Sequence, residues 1–144
     1  MSQQPLAAAS ILERAMATGM ISAQQLHHLL HASLPRVVLL DVRTPVEHQQ
    51  GIIPGSVLFP CDHDLSSVKN MAIFTKSFGE KFRPEAFDPT CHYVLICRTG
   101  PRMAVALEIF LRHHFTACEL LGGVTEWQRQ GLALQPVDAK AIAA

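Results

Sequence analysis

The chain has 144 residues, a size suited to one domain, and 49% of them are apolar, which is enough to bury one core. Its 12 basic residues balance 12 acidic ones and are scattered, so no overall field draws it to nucleic acid or to an anionic membrane, and neither is expected as a partner. No apolar run approaches the ~20 residues that cross a bilayer, and the start Met1-Ser2-Gln3-Gln4 lacks the positive flank of a secretory signal; a soluble, cytoplasmic protein is expected.

Leu6 to Thr18 is Ala-rich, with Leu6, Ile11, Leu12, Ala15 and Met16 roughly at helical spacing and Gly19 where a C-terminal cap belongs, so a first helix is predicted there. Ser22-Ala23-Gln24-Gln25 is a capping box ahead of Leu26, Leu29 and Leu30, predicting a second helix that ends before Pro35. Val37 to Val42 is an apolar, β-branched run broken only by Asp41, as in a strand buried on both faces of a parallel sheet. Glu47 to Gln50 is polar, Gly51 and Pro54-Gly55 supply turn chemistry, and Val57-Leu58-Phe59 makes a short strand stopped by Pro60.

Phe74, Phe78, Phe82 and Phe87 predict one helix around 71–82 that lays aromatic rings on the sheet, ended and framed by Pro84 and Pro89. Tyr93 to Ile96 is a second fully buried strand and runs straight into Cys97. Met103, Ala106, Leu107, Phe110 and Leu111 then mark a helix to about His113. Ala117 to Leu121 makes another strand, Gly122-Gly123 a turn, and Val124 to Arg129 a last helix closed by Gly131. Strands alternating with helices predict an α/β domain with a mostly parallel sheet, whose ligands sit beyond the C-terminal strand ends. The expected division is a helical extension over 1–21, the domain over 22–136 and a tail over 137–144.

The chemistry concentrates on Cys97-Arg98-Thr99-Gly100-Pro101-Arg102. Six residues between a buried strand and a helix must curl so that backbone N–H groups point inward, an anion-binding nest at the positive end of the helix. A thiol so placed beside Arg98 and Arg102 should ionise readily, because such settings lower a free pKa of ~8.5 to roughly 3.5–7.5. Two cations and a glycine beside one cysteine have no packing purpose, which makes Cys97 the candidate nucleophile. The four cysteines at 61, 91, 97 and 118 show no C-x-x-C pair and no metal-ligand spacing, so neither a structural zinc, nor a disulfide framework, nor a cofactor is expected.

Other residues read as structural. Asp41, Arg43 and Glu47 are expected to form an ion-pair and turn network, and Trp127 to anchor the core. Cys61 follows a strand end and should lie on the same sheet edge as Cys97, near the site, and is read first as a packed or merely exposed thiol; Cys91 and Cys118 are read as structural. His27 and His31, four apart on a helix, are expected to face solvent.

Three separated motifs resemble the rhodanese-like sulfurtransferases over roughly residues 22–134. They are Leu40-Asp41-Val42-Arg43 with Glu47 and Gly51-Ile52-Ile53-Pro54-Gly55-Ser56; the loop Cys97 to Arg102; and Leu121-Gly122-Gly123-Val124 with Trp127 and Gly131. The resemblance implies a parallel sheet of about five strands flanked by helices and a persulfide on Cys97. It carries over the loop as cradle of the outer sulfur, with Arg98, Thr99, Gly100, Pro101 and Arg102 as the substrate-binding residues and the two arginines on an anionic donor. Two positions depart from the family: Ile52 stands where it usually has histidine, and His114, before Phe115, where it usually has glycine. The helix before residue 20 has no counterpart in the resemblance.

The implied reaction moves a sulfane sulfur from thiosulfate or a similar small anionic donor to an acceptor, which is a thiol, cyanide or a protein. Cysteine-dependent phosphatases and arsenate reductase-like enzymes are the main alternative, but a phosphatase loop is C-x5-R and Cys97 to Arg102 is C-x4-R. A non-catalytic binding module is the third reading, and the presence of Cys97 speaks against it.

Overall fold

The structure is a computed structural model that describes residues 4–62, 71–98 and 101–137. Its centre is a five-stranded parallel sheet in the order β1-β5-β4-β2-β3, with β1 at Met20–Ile21, β2 at Val37–Asp41, β3 at Val57–Leu58, β4 at His92–Ile96 and β5 at Thr116–Leu120. The two most apolar runs in the chain take the two inner places. In β2 and β4, Leu39, Leu40, Tyr93, Val94, Leu95 and Ile96 are all buried, and the strands run in register from Val37 beside His92 to Asp41 beside Ile96. Strands with both faces covered must be apolar throughout.

Among the described residues six α-helices accompany the sheet: α1 (Gln4–Thr18), α2 (Ala23–Ala32), α3 (Pro45–Gln49), α4 (Ala72–Lys81), α5 (Pro101–Arg112) and α6 (Gly123–Arg129). Helix α5 lies on β4 and β5 with α4 alongside, while α1 packs on α2 and β5, and α2 on α6. The aromatic helix predicted at 71–82 does build the core under α5. Phe110 stands at its centre, with ring centroids 5.3 Å from Phe82, 5.1 Å from Phe87, 5.3 Å from Tyr93 and 5.4 Å from Phe115. Ala8, Leu12 and Ala15 of α1 are buried in the same core as the sheet.

Ser22 caps α2 as a full box, its hydroxyl accepting from Gln25 N at 3.1 Å and its own N–H donating to Gln25 Oε1 at 3.0 Å. Two elements are additions to the sequence reading. The fifth strand is β1, two residues between the first two helices, and its place comes from pairing with Glu119 and Leu120 rather than from any pattern of its own. The polar stretch after β2 holds the short helix α3, started by a second capping box between Thr44 and Glu47 with Pro45 in its first turn. Strand β3 ends at Leu58, one residue short of the expected Phe59, yet Phe59 N still donates to Asp41 O at 2.9 Å.

His114 takes φ 67°, in the turn from α5 into β5. Left-handed backbone favours glycine, so this departure from the family pattern sits where it costs conformational energy.

Candidate active site

Cys97 follows the last residue of β4, at the C-terminal edge of the sheet, and is fully buried. Its backbone is held from both sides. Val42 N donates to Ile96 O at 2.9 Å from the β2 side; on the other, Val124 N donates to Cys97 O at 2.9 Å and Thr125 N to Arg98 O at 3.0 Å. The first turn of α6 therefore takes two successive carbonyls of the loop. Because N–H and C=O of one trans peptide point in opposite directions, the Arg98 N–H is turned away from α6.

This contact explains Gly123, which the sequence reading treated only as part of a turn. Gly123 has φ 60°, and a Cβ there would stand 2.5 Å from Cys97 O and 2.6 Å from Arg98 O. Only glycine permits α6 to approach the loop so closely.

Arg98 is exposed and makes no side-chain hydrogen bond or ion pair among the described residues. Thr99 and Gly100 lie outside the described residues, and Pro101 is described only as the first residue of α5. Arg102 stands differently from its expected role on an anionic donor. Only 4% exposed, it spends its fork on Glu47, with Nη1 on Oε1 at 2.6 Å and Nη2 on Oε2 at 2.9 Å. A guanidinium so paired is charge-compensated, and the pair ties α5 to α3 across the loop.

Burial by itself would raise the Glu47 carboxyl; the hydrogen bonds from Arg102 and Thr44, with the Arg102 charge, overturn that and hold it down to about 2. Asp41 forms a separate buried cluster at the end of β2. Arg43 Nε reaches its Oδ1 at 2.9 Å, Arg43 Nη2 its Oδ2 at 2.8 Å, and His48 Nε2 lies 3.1 Å from Oδ1. Burial opposes this charge too, but the hydrogen bonds of His48 and Arg43 keep the Asp41 carboxyl below its usual range. The expected ion-pair network is thus two networks, and the second draws in Arg102 from 55 residues away.

A sequence profile of the Rhodanese-like domain matches residues 22–130. The chain belongs to the rhodanese-like domain family. Solved structures with the same fold include a rhodanese-related protein from Thermoplasma volcanium, at TM-score 0.62 and 23% identity over 81% of this chain and 96% of that one. A rhodanese-like domain protein from Staphylococcus aureus matches at TM-score 0.60 and 25% identity, over 81% of this chain and 97% of its own. A protein from Rhodopseudomonas palustris described as of unknown function, "possible tyrosine phosphatase", matches at TM-score 0.58 and 20% identity over 89% and 93%. No curated protein matches in sequence. Membership supports sulfurtransferase-type or related cysteine-dependent chemistry.

The remaining candidates in this rhodanese-like domain are quieter. Cys61 is buried and tied to the end of β2, its N–H donating to Arg43 O at 3.2 Å and its thiol to Phe59 O at 3.4 Å. Burial pushes the Cys61 thiol up to about 12, although the charges of Lys81 and Arg102 pull the other way. Burial likewise lifts Cys118 in β5 to about 12. Both are protonated at neutral pH and poor nucleophiles. Trp127 is buried and donates Nε1–H to Ala133 O at 3.0 Å. His27 and His31 lie 3.0 Å apart, Nε2 to Nε2; His31 is exposed as expected, whereas His27 is half-buried, its ring edge-on to Trp127 at 6.0 Å. Among the described residues, no three His, Cys, Asp or Glu side chains gather as a metal site, and no helix is long and apolar enough to cross a membrane.

Proposed function

We propose that this rhodanese-like domain is a sulfurtransferase that takes a sulfane sulfur from thiosulfate or a similar small anionic donor through a Cys97 persulfide. One observation carries the reading: of the four cysteines, Cys97 alone ends a central strand at the sheet edge where α/β domains bind ligands, ahead of the N-terminus of α5. In the first half-reaction the Cys97 thiolate attacks the outer sulfur of thiosulfate. A new S–S bond forms on Cys97, the donor S–S bond breaks, and sulfite leaves with the electron pair. In the second, a thiophilic acceptor attacks the outer sulfur and Cys97 returns as thiolate.

Arg98, exposed and without a side-chain partner among the described residues, is the cation offered to the donor in this reading. Thr99 and Gly100 offer loop amides in this reading, whereas Pro101 has no N–H and instead suits the first turn of α5. Arg102 is a positioning residue that acts through Glu47.

Phosphatase chemistry is the second reading, raised by the description of the Rhodopseudomonas palustris neighbour. The C-x4-R spacing and the commitment of Arg102 to Glu47 count against it, since phosphoryl oxygens require an unspent guanidinium. The test is intact mass after incubation with thiosulfate, beside hydrolysis of an aryl phosphate. One added sulfur, on Cys97, is the expected result; phosphate release without it would replace this reading, and neither would leave a binding module.

A further inference from the structure

Helix α2 is fixed at its start by the capping box of Ser22 and along one face by burial of Ala23, Leu26 and Leu29. His27 and His31 stand four residues apart on it, the spacing that sets two side chains of a helix over one another and lets two imidazoles reach one ion. Their rings meet edge to face with centroids 4.5 Å apart, and the two Nε2 atoms lie 3.0 Å from each other. Without a metal this contact is a hydrogen bond, in which one ring donates the single proton between them and the other accepts it.

The distance decides what the pair can hold. Metal–imidazole bonds are about 2.0–2.1 Å long, so two nitrogens 3.0 Å apart subtend roughly 95° at a shared ion. That is the angle between neighbouring ligands of an octahedral or square-planar ion, whereas tetrahedral ligation would set the nitrogens about 3.3 Å apart. Both donors are neutral nitrogens, which suit late first-row ions and not the oxygen-seeking Mg²⁺ or Ca²⁺. His31 lies in the last turn of α2, where the carbonyl end of the helix favours positive charge. No third His, Cys, Asp or Glu joins the pair among the described residues, so the other coordination positions fall to water.

We infer that His27 and His31 form a two-imidazole site for a divalent late first-row metal ion. The site is separate from the sulfur chemistry at Cys97 and does not depend on it. Its neighbour supplies the means of detection, since the His27 ring stands edge-on to Trp127 with centroids 6.0 Å apart, and Trp127 is the only tryptophan of the chain. An ion held by the pair therefore lies close to the one indole. Trp127 belongs to α6, the helix whose first turn holds the carbonyls of Cys97 and Arg98.

The experiment titrates the full chain with NiCl₂ and follows the emission of Trp127. Ni²⁺ is the probe because Cu²⁺, although it binds such sites more tightly, also oxidises thiols. We expect saturable quenching that EDTA reverses, with one Ni²⁺ bound per chain by calorimetry. His27→Gln and, separately, His31→Gln each leave a single imidazole and should raise the half-saturating concentration about tenfold or more. Cys97→Ser and His114→Gly, which remove a thiol and a histidine elsewhere, should leave it within about twofold of wild type. The unfolded chain does not hold the two rings together, so Ni²⁺ should also raise the urea midpoint of wild type and of Cys97→Ser, read by circular dichroism, but of neither glutamine variant. The midpoints without metal show that those variants fold. Absence of saturable binding overturns the site, as does quenching of undiminished affinity in either glutamine variant. Loss of binding in Cys97→Ser overturns it too, by moving the ion to the thiol.

Discussion

At the scale of single residues, the loop depends on what its neighbours spend themselves on. In the proposed reaction Cys97 is the nucleophile, so Cys97→Ser should abolish thiosulfate:cyanide sulfur transfer while leaving the far-ultraviolet circular dichroism unchanged; retained activity would move the nucleophile elsewhere. Arg102 and Glu47 are both buried and satisfy each other with two hydrogen bonds. Arg102→Ala should therefore cost about 3–5 kcal/mol in urea unfolding, because it leaves a buried carboxylate unpaired. Arg102→Lys keeps the charge, loses the fork, and should fall between wild type and alanine in stability and in turnover. His114 predicts the opposite sign. Glycine adopts its φ of 67° without strain, so His114→Gly should stabilise by about 0.5–1 kcal/mol, read as a raised urea midpoint with turnover unchanged.

At the scale of elements, two capping boxes serve different ends. The box at Ser22 starts α2, remote from the loop, whereas the box at Thr44 starts α3 and holds the carboxylate that pairs with Arg102. Thr44→Ala should cost about 1 kcal/mol, as lost caps do. It should also lower turnover, because Thr44 N–H and Oγ1 both donate to Glu47 Oε1 and set its position, at 3.0 and 3.1 Å. Ser22→Ala should cost a similar amount with turnover unaffected. Equal effects of the two substitutions on turnover would show that α3 does not position the loop. Helix α6 makes its contribution through its first turn, where Gly123 clears the way for two amides to reach the carbonyls of Cys97 and Arg98.

At the scale of the whole molecule, the buried carboxylates set the response to acid. Glu47 titrates at about 2 in the folded chain against 4.5 as its ordinary value, and Asp41 is also lowered. A carboxyl depressed by folding contributes stability that is complete above its unfolded pKa and is lost as pH falls through its folded one. The urea midpoint should accordingly hold down to about pH 5 and then decline steadily toward pH 2, by at most a few kcal/mol from Glu47. Glu47→Gln should flatten that decline while starting from a lower midpoint at neutral pH. An unchanged acid profile in Glu47→Gln would place the titrating group elsewhere. Helix α1 belongs to the same balance, since Ala8, Leu12 and Ala15 bury their side chains in the core shared with the sheet.

The sequence by itself determined whatever depends on neighbours along the chain. Runs such as Val37 to Leu40 and Tyr93 to Ile96 carry the burial of central strands, Ser22 to Gln25 carries a helix start, and Cys97 after β4 with Pro101-Arg102 opening α5 carries the strand-to-helix order on which the proposed nucleophile rests. Thr44-Pro45-Val46-Glu47 carried α3 as well, because the box and the proline are local signals, although a five-residue helix has too little apolar periodicity to announce itself. The tertiary structure alone decided the rest. Two residues at Met20–Ile21 become a strand only because β5 offers them a free edge, and Arg102 pairs with Glu47 only because the fold brings α3 beside the start of α5. The segment after α6 likewise takes its place only once Trp127, Gly51 and Ile52 have drawn it across the end of the sheet. Periodicity reports which side of an element is buried; it holds no record of which distant group will lie against it.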